Sequence, residues 1–325
     1  MNPVEVAAAA QAVAPAVWEH LPWTPLVDFD AASEAAGGTI LVKCEHQQRT
    51  GSFKVRGALA KVSVLDEGAL ARGVVTASTG NHGLGVAYAL QASGTRGTIC
   101  VPHGASPAKL AALARFGNVE ILTMGREAAE TEGLARELAA ERGATFISPY
   151  NDPGVIAGQG TIGLEILEQI GDRHVDAVVT AVGGGGLVSG VGSVFRTLRP
   201  EVRMVGASPA NDAAMAASVR AGAIIDIETS PTLSDGTAGG IEPGSITFPL
   251  CQNVVDEWVL VSEDEIAHAM RLAIDTEHTL IEGAAGVALA AGMRYVRDHP
   301  GQTAVVVSCG ANISADKLVA ALSRE

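Results

Sequence analysis

The chain is poor in aromatic side chains, in positive charge and in cysteine. Aromatic residues make up 4% of its 325 residues, and 22 Lys and Arg face 36 Asp and Glu, which gives a formal net charge of −14. A protein of that sign repels the phosphates of nucleic acids and anionic lipids, so we expect neither as a partner. The cysteines show no CxxC pair or zinc-like spacing, which predicts reduced thiols in a cytoplasmic protein. They are Cys44, Cys100, Cys251 and Cys309.

Long apolar segments are also lacking. The stretch from Val4 to Val17 has no basic segment before it and contains Glu5 and Gln11, so we do not expect a signal peptide. No run approaches the roughly 20 apolar residues needed to cross a bilayer. We therefore expect no contact with a membrane.

The sequence does contain a regular alternation of short β-branched runs with helix-length segments. Hydrophobic residues make up 47% of the chain, enough for one large domain or two moderate ones. The alternation predicts an α/β fold with open, twisted, mostly parallel sheets flanked by helices. The predicted strands are Ile40–Cys44, Val74–Ala77, Thr98–Val101, Val119–Thr123, Thr145–Ile147, Ala177–Val182, Val202–Ala207, Trp258–Val261 and Thr303–Ser308. Segment 221–250, rich in Gly, Pro, Ser and Thr, is predicted to form a long loop.

The first candidate for chemistry is Lys54, in the sequence Ser52-Phe53-Lys54. An amine beside Phe53 and followed by small and apolar residues can be desolvated, which lowers its pKa and leaves a neutral amine able to condense with an aldehyde. Taken alone, such a lysine is more often an exposed helix residue. The interpretation therefore depends on the other motifs.

Three segments that follow predicted strands offer sites for a ligand. Residues 76–83, Thr-Ala-Ser-Thr-Gly-Asn-His-Gly, suit a carboxylate or a phenolic oxygen at a helix N-terminus, although an ordinary turn with a structural His82 fits equally well. Residues 183–187, Gly-Gly-Gly-Gly-Leu, let backbone amides reach a phosphate. This segment is neither a P-loop nor a GxGxxG pattern, so a phosphate monoester fits better than a nucleotide. Residues 308–312 lie where α/β sheets bind ligands, with a simple turn as the alternative.

These motifs occur in the order found in a known enzyme family. Ser-Phe-Lys at 52–54, Thr-Gly-Asn-His-Gly at 79–83 and the glycine segment at 183–187 resemble the fold-type II pyridoxal-phosphate enzymes, in the branch of threonine and serine dehydratases and serine racemase. The similarity covers nearly the whole chain. It implies a two-domain, tryptophan synthase β-like fold, with a large cofactor-binding domain of residues 1–59 and 149–325. A small mobile domain of residues 60–148 would carry the loop that binds the substrate carboxylate.

The resemblance also implies which residues hold pyridoxal 5'-phosphate. Lys54 would bind the aldehyde of the cofactor and later remove the substrate Cα proton, while Phe53 packs against the pyridine ring. Asn81 would donate to the phenolic oxygen. The phosphate would be bound by Gly183, Gly184, Gly185, Gly186 and Leu187. The substrate carboxylate would lie among Ser78, Thr79, Gly80 and His82.

Two positions concern protonation at the cofactor ring. Where the family usually has a serine or threonine three residues before an asparagine, this chain has Cys309, with Ser308 as the fallback donor to the ring nitrogen. A neutral thiol or hydroxyl does not keep that nitrogen protonated as a carboxylate would, which favours β-elimination over transamination. Glu282 lies in a loop of the dehydratase form. It would influence protonation at the ring or the leaving group, or serve as a structural carboxylate at a helix N-terminus.

Further positions bear on the choice of activity. Racemases of this branch place a serine immediately before Gly80 as a second base, and here the residue is Thr79, whose β-branching restricts its rotamers. Ser208 and Ala214 stand where several relatives have acidic ligands of a divalent ion, so no metal is expected. Residues 234–244 keep the Asp-Gly of the family but are otherwise distinctive, and are a candidate for substrate selectivity.

The implied reaction is the removal of water and then ammonia from a β-hydroxy amino acid such as L-threonine or L-serine, giving a 2-oxo acid. The alternatives are a racemase of serine, threonine or aspartate, and a dehydratase for 3-hydroxyaspartate, phenylserine or a hydroxyectoine-derived amino acid. A cofactor-binding protein without catalysis is the alternative from another class. The resemblance further implies a homodimer. Because no regulatory domain follows the last predicted helix, control by isoleucine is not expected.

Overall fold

The computed structural model describes residues 1–324, which form two sheets with helices packed against them. In chain order the strands are β1 (Leu26–Asp28), β2 (Thr39–Lys43), β3 (Val74–Ala77), β4 (Gly97–Val101), β5 (Val119–Thr123), β6 (Thr145–Phe146), β7 (Ala177–Ala181), β8 (Arg203–Pro209), β9 (Glu257–Val261) and β10 (Thr303–Val307). The larger sheet has the order β1-β2-β10-β7-β8-β9 and the smaller one β5-β4-β3-β6. Only β1 pairs antiparallel among these strands.

The prediction of an α/β fold with mostly parallel strands is therefore confirmed. All nine predicted strands are present, and their ends differ from the predicted ones by no more than two residues. The short edge strand β1 was not predicted. Residues 222–246 of the predicted loop are irregular, but residue 221 ends one helix and residues 247–250 begin another, so the loop prediction is wrong at both ends.

The helices pack on both sheets. They are α1 (Pro3–His20), α2 (Asp30–Ala36), α3 (Lys54–Ser63), α4 (Glu67–Arg72), α5 (Asn81–Ala92), α6 (Pro107–Ala114), α7 (Ala128–Arg142), α8 (Pro153–Ile170), α9 (Gly186–Leu198), α10 (Ala214–Ala221), α11 (Thr247–Val254), α12 (Glu263–Asp275), α13 (Gly283–Asp298) and α14 (Ala315–Leu322). Within residues 1–324, no helix is long and apolar enough to cross a membrane.

The order of strands in the larger sheet determines where a ligand can bind. β10 is parallel to both of its neighbours, β2 and β7, so the carboxyl ends of these three strands lie side by side. The segments that leave them are those that contain Lys54, Cys309 and the four glycines. An α/β sheet binds its ligands at this edge, because the loops there converge above the strand ends.

Backbone contacts hold the Lys54 segment against the segment after β10. Ser52 and Gly310 form an antiparallel bridge, and the Phe53 N–H donates to the carbonyl oxygen of Cys309 at 3.0 Å. The next residue is Lys54, where α3 begins. The position of this lysine is therefore set by the central strand of the larger sheet.

A fully buried cluster of four charged side chains ties α3 to β2 and α8. Arg56 contacts Glu45 through Nε at 2.7 Å and Glu165 through Nη1 at 2.6 Å. Lys43 Nζ lies 2.5 Å from Glu165. Two cations and two anions balance each other there, which is what makes the burial of so many charges tolerable. The sequence analysis did not identify this cluster.

Removing one anion from this cluster tests its contribution to stability. Glu165→Gln leaves Lys43 and Arg56 with a single carboxylate in a dry environment, so we expect the free energy of unfolding to fall by about 3–5 kcal/mol. Denaturation in urea measures the change. Glu168→Gln, at an exposed position of the same helix, is the control and should change it by less than about 0.5 kcal/mol. Equal effects of the two variants would contradict the account.

Candidate active site

Lys54 lies at the carboxyl edge of the larger sheet and reaches towards the end of the smaller one. Its Nζ donates to the carbonyl oxygen of Pro149 at 2.8 Å and lies 5.2 Å from the centroid of the Phe53 ring. Part of the residue is accessible, but burial of the amine lowers its pKa to about 8, an effect that Glu282 partly offsets. The amine can therefore lose its proton close to neutral pH, as a nucleophile towards an aldehyde must.

The loop that contains Ser78, Thr79 and Gly80 links β3 to α5. The Ser78 hydroxyl accepts from the Gly80 N–H at 3.1 Å, and Gly80 is the N-cap of α5. The N–H groups of the first turn, at Asn81, His82 and Gly83, have no partner inside the helix. A methyl group at Gly80 would meet no atom within 4 Å, so the loop faces open space. The arrangement suits a carboxylate at the positive end of the helix dipole.

His82 is buried, and its ring contacts the smaller sheet. Nε2 lies 3.0 Å from the carbonyl oxygen of Ile147, which can only accept, so Nε2 carries the proton. Burial and the nearby Lys54 lower the pKa of His82 to about 3, so its ring is neutral. Nδ1 is then an acceptor, and it has no hydrogen-bond partner among residues 1–324. A substrate carboxylate would be attracted by the backbone N–H of His82 and not by its ring.

The four glycines form a tight turn between β7 and α9. Gly185 has φ +85° and is the N-cap of α9. A Cβ at Gly184 would lie 2.5 Å from the Tyr150 ring, and one at Gly183 would lie 2.7 Å from the carbonyl oxygen of Thr237. Any side chain at these positions would therefore displace the turn.

The backbone amides of this turn are suited to bind a phosphate. The first N–H groups of α9, at Gly186, Leu187 and Val188, have no partner inside the helix and lie in a buried part of the chain. Buried amides without partners bind an anion readily, because the helix dipole also favours negative charge there. The Leu187 side chain itself packs in the hydrophobic core. The turn therefore fits the phosphate group of the expected cofactor.

Glu282 joins the segment after β10 to α5. Its N–H donates to the carbonyl oxygen of Gly310 at 2.9 Å, and its Oε1 accepts from Asn81 Nδ2 at 2.8 Å. Burial raises the pKa of Glu282 to about 7, although the hydrogen bond from Asn81 opposes this. Both interpretations of Glu282 from the sequence fit this position, because it is the N-cap of α13 and also contacts a predicted cofactor-binding residue.

Cys309 and Ser308 follow β10 directly. The thiol of Cys309 is buried, and this burial, together with the nearby Glu282, raises its pKa well above the ordinary range. It is therefore neutral. The Ser308 hydroxyl is also buried and has no hydrogen-bond partner among residues 1–324. The Ser308 hydroxyl is thus free for a ring nitrogen, and the neutral Cys309 thiol is the other candidate.

The structure brings together most of the predicted site residues. Asn81 donates to Glu282, the Glu282 N–H donates to the residue after Cys309, and Cys309 accepts from the residue before Lys54. Pro149, which contacts Lys54, and Tyr150, which lies against Gly184, were not predicted as site residues, whereas Thr237 and Asn312 lie in candidate segments but were given no individual role. Their signal in the sequence was weak, since each lies in a loop. Within residues 1–324 there is no group of three or more side chains that could hold a metal ion.

Filling the glycine turn tests its role. Gly184→Ala places a methyl group against the Tyr150 ring and should weaken the binding of pyridoxal 5'-phosphate by about tenfold or more, because the amides can no longer converge. Equilibrium dialysis of the cofactor measures the change. Gly117→Ala, where the new methyl group meets nothing within 4 Å, is the control. Unchanged cofactor binding by Gly184→Ala would show that the phosphate lies elsewhere.

Comparison with known proteins agrees with this geometry. The family described as "Pyridoxal-phosphate dependent enzyme" matches residues 17–310. The chain is 41% identical over 295 residues to an L-threonine ammonia-lyase of Thermotoga maritima, a match that covers 91% of this chain and 72% of that protein.

Two solved structures share the fold over almost the whole length. The processed form of threonine deaminase isoform 2 from Solanum lycopersicum has a TM-score of 0.92 and 32% identity, covering 98% of this chain and 94% of that one. Maize serine racemase has a TM-score of 0.88 and 27% identity, covering 97% of each chain. With the desolvated lysine and the glycine turn, these matches show that the chain belongs to the pyridoxal-phosphate-dependent enzymes of fold type II.

Proposed function

We propose that the protein is an ammonia-lyase that converts a β-hydroxy amino acid, such as L-threonine or L-serine, into a 2-oxo acid and ammonia. The observation that carries the proposal is the desolvated Lys54 amine, which lies at the same sheet edge as the glycine turn and directly follows Phe53, whose N–H donates to the carbonyl oxygen of Cys309. The identity with the L-threonine ammonia-lyase of Thermotoga maritima over 91% of the chain supports it.

Pyridoxal 5'-phosphate supplies the electron sink that makes the Cα proton of a bound amino acid acidic. It would be held by the glycine turn, by Asn81 and by Lys54. In the proposal, the Lys54 amine removes the Cα proton and the β-hydroxyl leaves, so that the two together make one water. The unsaturated amine then takes up water and releases ammonia and the 2-oxo acid. Glu282, with a pKa near 7, is the second group that can hold a proton there.

The contact with the ring nitrogen is assigned to Cys309. Successive side chains at the end of a strand point to opposite faces of the sheet, so Ser308 and Cys309 face different sides. The carbonyl oxygen of Cys309 accepts from the Phe53 N–H at 3.0 Å, so Cys309 lies next to the segment that contains Lys54, which supports this assignment. A neutral group at this position favours elimination, because the ring nitrogen is not kept protonated.

A cluster of charges near Tyr150 supports a substrate with a neutral side chain. Arg136 Nη2 lies 2.8 Å from Glu132 and 3.0 Å from Glu242, and the Glu242 N–H donates to the Tyr150 hydroxyl. One guanidinium thus faces two carboxylates and has little attraction left for a third. A substrate such as 3-hydroxyaspartate would find no unpaired cation in this cluster.

Racemisation is the second candidate activity, because the Thr79 hydroxyl lies on the loop before α5 and the fold is shared with maize serine racemase. It would require Thr79 to act as an acid on the face of the substrate opposite Lys54. The restricted rotamers of threonine count against this. Chiral analysis of L-serine left after partial turnover separates the two activities, since a lyase leaves no D-serine.

The proposal extends to the whole molecule. Residues 60–148 would close as a small domain onto the larger one, and so exclude water from the Lys54 amine. The ion pair between Arg136 of the small domain and Glu242 of the loop of residues 222–246 would favour the closed arrangement. We further propose that the protein is a homodimer, which light scattering can test. A cytoplasmic location is also proposed and agrees with the four buried free thiols.

The Lys54 amine is the first target for a test. The purified protein with bound cofactor should be coloured, and should release a 2-oxo acid and ammonia from L-threonine or L-serine. Lys54→Ala should lose the absorption band and reduce turnover by more than about a thousandfold, because both the attachment point and the base are gone. Lys61→Ala, on the same helix, is the control. A colourless wild-type protein after reconstitution with the cofactor would refute the proposal.

Removing negative charge near Tyr150 tests the expected substrate class. Glu242→Gln frees part of the Arg136 guanidinium, so we expect the ratio of kcat/KM for 3-hydroxyaspartate to that for L-threonine to rise about fivefold, or about 1 kcal/mol. Glu120→Gln, which removes the partner of Arg142 on the surface, is the matched control and should leave the ratio unchanged. A wild-type preference for 3-hydroxyaspartate would contradict this substrate assignment.

A further inference from the structure

Asn312 lies between three segments of the site and was assigned no role by the sequence analysis. Its Nδ2 donates to the carbonyl oxygen of Thr50 at 2.8 Å and to Asn81 Oδ1 at 2.7 Å. Its backbone N–H donates to Glu282 Oε2 at 3.0 Å. The residue thus joins the segment before Lys54, the start of α5 and the N-cap of α13.

These contacts fix the orientation of the Asn312 amide. The carbonyl oxygen of Thr50 can only accept a hydrogen bond, so the amide group of Asn312 must turn its nitrogen towards it. Both hydrogens of Nδ2 are then used, one on Thr50 and one on Asn81. Gly51 makes room for this arrangement, since its φ is +72° and a Cβ there would lie 2.8 Å from Asn312 Oδ1.

The orientation of Asn312 determines that of Asn81. Because Asn312 presents an N–H, Asn81 must turn its Oδ1 towards it and its Nδ2 away. Nδ2 then donates one hydrogen to Glu282 Oε1 at 2.8 Å. Turning the Asn81 amide round would place N–H against N–H at Asn312. The second hydrogen of Asn81 Nδ2 remains available to a ligand.

We infer that Asn312 is a positioning residue, which holds the Asn81 amide with an N–H, and not its oxygen, directed at the phenolic oxygen of the cofactor. The inference rests on the proposed function, because it takes Asn81 as the donor to that oxygen. Asn312 is itself exposed on one side, so its truncation leaves no buried cavity and the variant should fold. Its effect is exerted through Asn81 and should disappear when Asn81 is absent.

A double-mutant cycle on the enzyme with bound cofactor tests this. Asn312→Ala should weaken cofactor binding in equilibrium dialysis by about tenfold, the value of one hydrogen bond, and should shift the absorption band of the cofactor. Asn312→Asp, which places an oxygen against Thr50 and Asn81, should do the same or more. In an Asn81→Ala background, Asn312→Ala should change binding by less than about twofold. Asn253→Ala, at an exposed asparagine of α11, is the control.

The outcomes separate this inference from the proposed function. If Asn312→Ala leaves binding and spectrum unchanged while Asn81→Ala alters both, the positioning role is wrong and the proposed function stands. If Asn312→Ala has the same effect with and without Asn81, its role is only structural and the inference also fails. A wild-type protein that does not bind pyridoxal 5'-phosphate would refute both.

Discussion

The desolvation of a single amine is the constraint on which the rest of the structure depends. Lys54 must be dry enough to lose its proton near neutral pH, yet must remain open to a ligand at the cleft. The backbone pairing of Ser52 with Gly310, and of Phe53 with Cys309, holds the lysine at that place. On the other side of α3, the buried charges around Arg56 fix the helix to β2 and α8. The site is therefore supported from both sides.

The parallel arrangement of strands explains why the site residues meet although they are far apart in the sequence. Lys54, the glycine turn and Cys309 follow three adjacent strands, so their loops leave the sheet at the same edge. The smaller sheet contributes the loop after β3 and the carbonyl oxygen of Pro149 that Lys54 contacts. Two helix N-termini, those of α5 and α9, present backbone amides that suit the carboxylate and the phosphate of the proposed function. The net negative charge of the protein is compatible with an anion site here, because the backbone N–H groups would contact the anion directly.

The fold was predictable from the sequence because β-branched runs separated by helical segments repeat nine times. β1 escaped prediction since Leu26–Asp28 is too short to show a period of two and pairs at the edge of the sheet. The glycine turn and Lys54 were recognisable because their chemistry is local. The Arg56 cluster and the contacts of Asn312 were not, since their members are separated by up to 262 residues along the chain. Only the folded chain shows that Asn81, Glu282 and Asn312 share one network of hydrogen bonds.

Chemical trapping of the cofactor tests the central claim most directly. Reduction of the enzyme with borohydride makes the bond between a lysine and pyridoxal 5'-phosphate permanent, and digestion followed by mass spectrometry then locates it. The account predicts one labelled peptide, containing Lys54. A label on another lysine, or no label in a protein saturated with cofactor, would contradict it.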